Sequence, residues 1–284
     1  MHIDNLYKDL RIMEFKECFA LEKIHGTSAH ISWKDNKIIY FSGGEKHLKF
    51  VNYFDDTELQ LLFEEHFFDM EITLFGEAYG GSQQGMSDTY GKELKFIVFD
   101  VKIEGAWLNV LNAENVTKKM NLEFVDYLKI TTDLEAIDAE RNKPSVQATR
   151  NGIEGFKKRE GIVLRPLEEY SDKRGNRIIT KHKNAEFSET KTVREVSPEK
   201  LKVLEEARAI GEEWVTEMRL THILDKLGNP NDISAIRDVI KNMIEDVLRE
   251  AKGEIIESQA AKKAIGTKTA LMFKNKISKI GEGR

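Results

Sequence analysis

Up to about Thr190 the chain is built from short β-branched and aromatic runs set among polar residues. Lys37-Ile38-Ile39-Tyr40-Phe41, Glu71-Ile72-Thr73-Leu74-Phe75, Phe96-Ile97-Val98-Phe99-Asp100-Val101, Gly161-Ile162-Val163-Leu164-Arg165 and Arg177-Ile178-Ile179-Thr180 have the length and make-up of strands. Most are bounded by Gly, Asn or Asp. Between them the pattern predicts helices over Asp56–Phe68, Asn112–Leu128 and Asp133–Arg141. Strands and helices in irregular alternation predict an α+β domain of antiparallel sheets with flanking helices.

After Thr190 the texture changes. Ser197-Pro198 is an N-cap followed by proline at the first helical position, and Leu201, Leu204 and Ala207 then recur at helical spacing. A second helix fits Glu212–Leu227 and stops at Gly228-Asn229-Pro230. A third runs from about Ile233 to Ala251, with Ile236, Val239, Ile240, Met243, Ile244, Val247 and Leu248 in one wide apolar stripe. Thr267–Lys279 is a fourth. The expected division is a sheet-rich domain over residues 1–192 and a small all-helical domain over 193–284.

Composition narrows the setting. The chain has 284 residues, 40% of them hydrophobic and 33% charged, as an ordinary globular protein does. No apolar run is long enough for a membrane span, and the start has no signal-like segment. The one cysteine, Cys18, is expected to be buried and inert, which fits a reducing, cytoplasmic setting. The expected state is a monomer. A net charge of −5 excludes a uniformly basic nucleic-acid binder, although a phosphate-binding groove needs only local positive potential. The end of the chain offers such potential. Ala261 to Arg284 carries Lys262, Lys263, Lys268, Lys274, Lys276, Lys279 and Arg284 against Glu282, either as a solvated tail or as a phosphate-binding patch. His30, His47, His66 and His222 lack metal-ligand spacing, and Trp33, Trp107 and Trp214 read as core.

The chemistry begins at Leu21-Glu22-Lys23-Ile24-His25-Gly26-Thr27. A lysine after a strand, with glycine three positions on, can hold its amine in a pocket while the chain turns away. Neighbouring cations or desolvation would make that amine nucleophilic. Alone, K-x-x-G also describes any exposed loop lysine. Four further segments change the reading. Phe75-Gly76-Glu77-Ala78-Tyr79-Gly80 sets a carboxylate beside glycines, and Phe96 to Asp100 offers aromatics that could stack on a base. Arg159-Glu160-Gly161 puts a carboxylate at the mouth of a strand. Lys181-His182-Lys183 points two amines to one face, which suits a triphosphate.

In order, these segments resemble the nucleotidyl motifs of the covalent nucleotidyltransferases, the polynucleotide ligases and capping enzymes. Within them the chain is most similar to the nick-sealing RNA ligase 2 family: E-K-I-H-G-T with His25, F-G-E-x-Y-G, E-G-I-V-L-R-P, and K-H-K-N-x-x-F-x-E from Lys181 to Glu189. The resemblance covers residues 21–189 and implies a nucleotidyltransferase domain that uses ATP with Mg2+ or Mn2+. The implied partners are RNA ends, in a nicked duplex or a broken RNA. Lys23 would take up AMP, Glu77 would bind the ribose, and Phe99, with Phe96 as the second choice, would stack on adenine. Glu22 and Gly26 would line the nucleotide pocket. Glu160 would hold the metal, Lys181 and Lys183 would contact the α-phosphate, and His25 would act after adenylation. Three phosphoryl transfers follow: enzyme–AMP formation, transfer to a 5′-phosphate, and attack by a 3′-OH.

One position departs from the family. The arginine usual on the strand after the nucleophile is absent from Phe41-Ser42-Gly43-Gly44-Glu45-Lys46, where Lys46 could contact nucleic acid only as a point charge. With Lys262, Lys263, Lys268 and Lys274 it completes the expected nucleic-acid contacts. The alternatives are a DNA ligase or capping-type enzyme, whose core normally precedes a β-barrel, and a non-catalytic nucleic-acid-binding module.

Overall fold

The computed structural model describes residues 3–172, 174–187 and 196–282. The motif end at Glu189 and the expected boundary at 192/193 lie outside them. The chain divides into two compact units, Met1–Ile12 with Lys16–Arg194, and Met13–Phe15 with Glu195–Arg284.

In the first unit the strands are β1 (Asp4–Asn5), β2 (Glu17–Lys23), β3 (Thr27–Lys34), β4 (Lys37–Ser42), β5 (Ile72–Gly80), β6 (Leu94–Ile103), β7 (Ala106–Trp107), β8 (Tyr127–Thr131), β9 (Gly161–Pro166) and β10 (Thr180–Lys183). One sheet has the order β1-β10-β9-β2-β8 and the other β4-β3-β5-β6-β7. All pairs are antiparallel except β1 with β10. Asp35-Asn36, both with positive φ (50° and 57°), make the two-residue turn between β3 and β4, the conformation that matches strand twist. The helices are α1 (His47–Val51), α2 (Asp56–Phe67), α3 (Ser87–Tyr90), α4 (Val110–Lys119), α5 (Leu134–Arg141) and α6 (Val146–Arg150). Asp55, Asn109, Asp133 and Ser145 cap α2, α4, α5 and α6 with side-chain oxygens.

Alternation sets which side of each strand is buried. On β3 the residues Ala29, Ile31 and Trp33 point into the core, where Trp33 stacks on Phe63 of α2 at 5.4 Å. Phe19 and Leu21 of β2 join the same core as Ile97 and Val98 of β6, so both sheets share it. Cys18 is fully buried, and burial pushes its thiol up to about 12. Asp100 of β6 is buried between Arg165 (3.0 Å) and Arg177 (2.5 Å), and Glu169 closes this ion cluster.

Two expectations fail in this unit. The helix from Asn112 ends at Lys119, because Asn121 turns with φ 53° and residues from Tyr127 pair as β8. Arg177–Ile179 is not a strand; it contributes one bridge, Ser171 with Arg177, since Arg177 is drawn to Asp100 and Glu169.

Beyond residue 196 every described element is helical: α7 (Pro198–Trp214), α8 (Glu217–Lys226), a short 3-10 turn, α9 (Ile236–Glu250) and α10 (Gln259–Glu282). The α+β class with a helical end therefore holds. The first break falls at Val215-Thr216, where Thr216 caps α8, rather than before Glu212. The apolar stripe of α9 is core as expected, with Val239, Met243 and Val247 packed with Ile265 and Phe273 of α10. Gly211 lets α7 approach α10, since a Cβ there would lie 3.2 Å from the Ala264 backbone. No described helix is long and apolar enough to cross a membrane.

Candidate active site

Lys23 ends β2 directly opposite Gly161 of β9, and Gly161 lies opposite Lys183 of β10. Facing residues in a ladder share a side of the sheet, so two lysines flank a position without a side chain. A Cβ on Gly161 would sit 2.2 Å from the His182 carbonyl oxygen. Only glycine lets the three strands close there.

Glu160, one residue before, gathers the charges. It is 1% exposed, and its Oε2 accepts from Lys23 Nζ at 3.0 Å, with His25 Nδ1 at 3.1 Å. Its Oε1 lies 2.9 Å from Lys183 Nζ. Burial alone would raise this carboxyl; the hydrogen bond from His25 and the charges of Lys23 and Lys183 outweigh it and hold the group down to about 2. Glu77 of β5 shows the opposite balance. Burial pushes it up to about 7, with Glu160 adding and Lys23, the Gly26 N–H and His25 opposing. The Gly26 N–H donates to Glu77 Oε1 at 3.2 Å, and a Cβ on Gly26 would lie 2.4 Å from the Ala78 carbonyl oxygen. One pocket thus holds a carboxylate ionised at any working pH and another that titrates near neutrality.

Lys181 projects from the same side of β10 as Lys183, opposite Val163. His182 points the other way, to Asp138 Oδ1 (2.7 Å) and Arg141 of α5. Glu22 also turns away from the lysines. Its buried carboxylate accepts from Ser145 Oγ (2.6 Å) and from the Val146 and Gln147 amides (2.9 and 3.2 Å), which places it at the N-terminus of α6. Phe96 is 3% exposed, packed edge-on against Phe50 and over Gly76. Phe99 is the extra residue of a β-bulge, between the pairs Gly76 with Val98 and Phe75 with Asp100. It is part-buried against the core.

Lys46 is exposed on the turn before α1. The four C-terminal lysines do not form one patch. At 3.6 residues per turn they scatter around α10, Lys263 is paired with Glu14 (2.6 Å) and Lys268 with Glu212 (2.7 Å). Lys274 is part-buried, which lowers its pKa.

Two neighbours of His25 are given no role by the sequence reading. Tyr90 Oη accepts from the His25 N–H at 3.3 Å, and Phe187 meets the His25 ring edge-on at 5.3 Å. Tyr90 lies in none of the motifs, whereas Phe187 is the phenylalanine of K-H-K-N-x-x-F-x-E. Gly161 was in plain view as the glycine of E-G.

The RNA ligase family model matches residues 16–183, the span that holds Lys23, His25, Glu77, Glu160, Lys181 and Lys183. The chain belongs to the RNA ligase family. The motif resemblance therefore holds at the level of the family. Two solved structures of the Naegleria gruberi RNA ligase, a lysine-to-alanine and a glutamate-to-alanine variant each with ATP and Mn, are similar in fold. Each superposes with a TM-score of 0.50 at 18% identity, covering 66% of this chain and 56% of the other. This member of the family thus spans little more than half the length of that ligase. No curated protein matches the chain.

Proposed function

We propose that this chain is an ATP-dependent RNA ligase that joins 3′-OH and 5′-phosphate ends through a lysyl-AMP intermediate. One observation carries the reading: Lys23, His25 and Lys183 converge on the buried Glu160 within 3.1 Å. A structural ion pair needs one cation, whereas a site for a triphosphate needs several. The helical segment after residue 196 favours an RNA ligase over the barrel-bearing DNA ligases and capping enzymes.

The Lys23–Glu160 pair opens when nucleotide phosphates offer the lysines another anionic partner. Lys23 Nζ, having lost a proton to solvent, attacks the α-phosphorus. A P–N bond forms, the bond to the bridging oxygen breaks, and pyrophosphate leaves with the electron pair. Lys181 and Lys183 steady the α-phosphate charge, Glu77 accepts from the ribose hydroxyls, and Phe99 meets the adenine. A 5′-phosphate oxygen then displaces Lys23 from the same phosphorus, with His25 beside it. Finally a 3′-OH attacks the 5′-phosphate, gives up its proton, and AMP leaves.

A divalent metal would neutralise phosphate charge during these transfers. Among the described residues no three His, Cys, Asp or Glu side chains are grouped to hold one. Mg2+ and Mn2+ sites built on nucleotides need only one or two carboxylates, the rest coming from phosphates and water. Glu160 fits that part.

Sealing of matched RNA, DNA and mixed nicks tests the proposal. The expected result is sealing wherever the 3′-OH strand is RNA, abolished in Lys23→Ala with ATP but retained in part on a pre-adenylylated strand. Persistent ATP-dependent sealing by Lys23→Ala would sink the assignment.

A further inference from the structure

The face of the second sheet that carries Glu77 continues past the active site. Side chains alternate along a strand, so Phe75 and Thr73 of β5 share that face with Glu77. Through the ladder, Ser28, His30, Ser32 and Lys34 of β3 and Lys37, Ile39 and Phe41 of β4 share it too. The row next to Glu77 is aromatic. Phe41, His30 and Phe75 face one another across three strands, and Trp107 of β7 extends the row. The Phe41 and His30 rings stack at 4.8 Å and 16°; His30 meets Phe75 at 5.5 Å, and Phe75 meets Trp107 at 5.0 Å.

One end of this row is closed and the other open. The Arg177 guanidinium covers Trp107 at 4.1 Å, whereas Phe41 is 48% and Ile39 50% exposed. A solvent-facing sheet side normally reads polar, and neither the core nor the chemistry of adenylation uses Phe41. Aromatics in a row on an open sheet, beside a site for phosphates, are how nucleic-acid-binding sheets take up unpaired bases.

We propose that this face is a stacking platform for unpaired bases of the RNA strand whose end the active site handles, with Phe41 and His30 as the stacking surfaces. The identity of the strand rests on the ligase reading above. Burial keeps the His30 ring below its ordinary pKa, so at neutral pH it stacks as an uncharged aromatic. Lysines stand at both ends of the platform. Lys23 and Lys183 lie at the active-site end. Lys34 and Lys37 face each other six residues further along, about 20 Å away. Lys34 is paired with Glu71 at the surface, and such a pair gives way easily to a phosphate. Stacking requires only a π-face, so the platform tolerates any base.

The test is equilibrium binding of a short single-stranded RNA carrying a fluorescent base analogue, to wild type, Phe41→Ala and Phe41→Trp. Phe41→Ala should bind roughly five- to a hundredfold more weakly and lose the quenching that stacking produces. Phe41→Trp should restore both, with melting temperature and AMP uptake as in wild type throughout. Unchanged affinity in Phe41→Ala, or no rescue by tryptophan, overturns the platform. So does conversion of a dimer to a monomer by Phe41→Ala, which would make this face a contact between copies. Failure of the two readings is separable. If wild type takes up no AMP while Phe41→Ala still loses RNA binding, the ligase fails and the platform stands.

Discussion

Burial pushes the Glu77 carboxyl up to about 7, while its neighbour Glu160 is held down to about 2 by His25, Lys23 and Lys183. The two consequences have opposite signs. Glu160 adds stability above its ordinary value near 4.5, and that stability is lost as pH falls from there towards 2. Glu77 adds stability while protonated, and it is lost as pH rises through about 7. Denaturant unfolding at stepped pH should therefore show Glu160→Gln losing less stability than wild type between about pH 4.5 and about pH 2. In the binding role, ionised Glu77 is the better acceptor for ribose hydroxyls. ATP binding to Lys23→Ala should tighten severalfold from about pH 6 to about pH 8 and become weak and flat once Glu77→Gln is added; a flat profile with Glu77 intact would remove it from the ribose. His25→Ala should keep most AMP uptake but slow transfer to the 5′-phosphate by roughly a hundredfold or more. Equal loss of both steps would place His25 in the ATP pocket. At this scale the sequence names candidate side chains more readily than it says where they point. Lys23, Glu160 and Lys183, from three separate segments, come together. The Glu22 carboxylate goes instead to Ser145 and the start of α6, a contact across distant sequence that no local pattern encodes.

Strands β2, β9 and β10 act as one device, because the row Lys23, Gly161, Lys183 crosses all three. Gly161→Ala would press a methyl into the His182 carbonyl and force β10 away. It should cost about 1–3 kcal/mol of stability and slow AMP uptake although every charged group remains, measurable by melting and by labelling with ATP. Normal uptake with lowered stability would show that the spacing of the two lysines does not matter. Most of the strands were legible because alternation and turn residues agree, as at Asp35-Asn36. Errors came where tertiary contacts overrule local preference. Residues after Met120 look helical in sequence, but the chain turns at Asn121, and Tyr127 and Leu128 pair in β8; Arg177 is taken by Asp100 and Glu169.

For the whole molecule, every group assigned to ATP chemistry lies in the first unit, and the helical unit supplies none. A chain ending at Arg194 should still take up AMP but bind nicked RNA roughly tenfold more weakly, with a shallower dependence on salt. Undiminished binding would confine RNA recognition to the first unit. The lysine-rich end was readable only as composition. In the structure Lys263 and Lys268 are spent on Glu14 and Glu212, so neutralising single lysines should do little. The central claim is a covalent one, and peptide mapping of the intact chain after incubation with ATP and Mg2+ tests it most directly. The account predicts one AMP per chain, on the peptide that carries Lys23 and linked through its amine, released by pyrophosphate. AMP on another residue, or none on a folded chain that binds ATP, would contradict it.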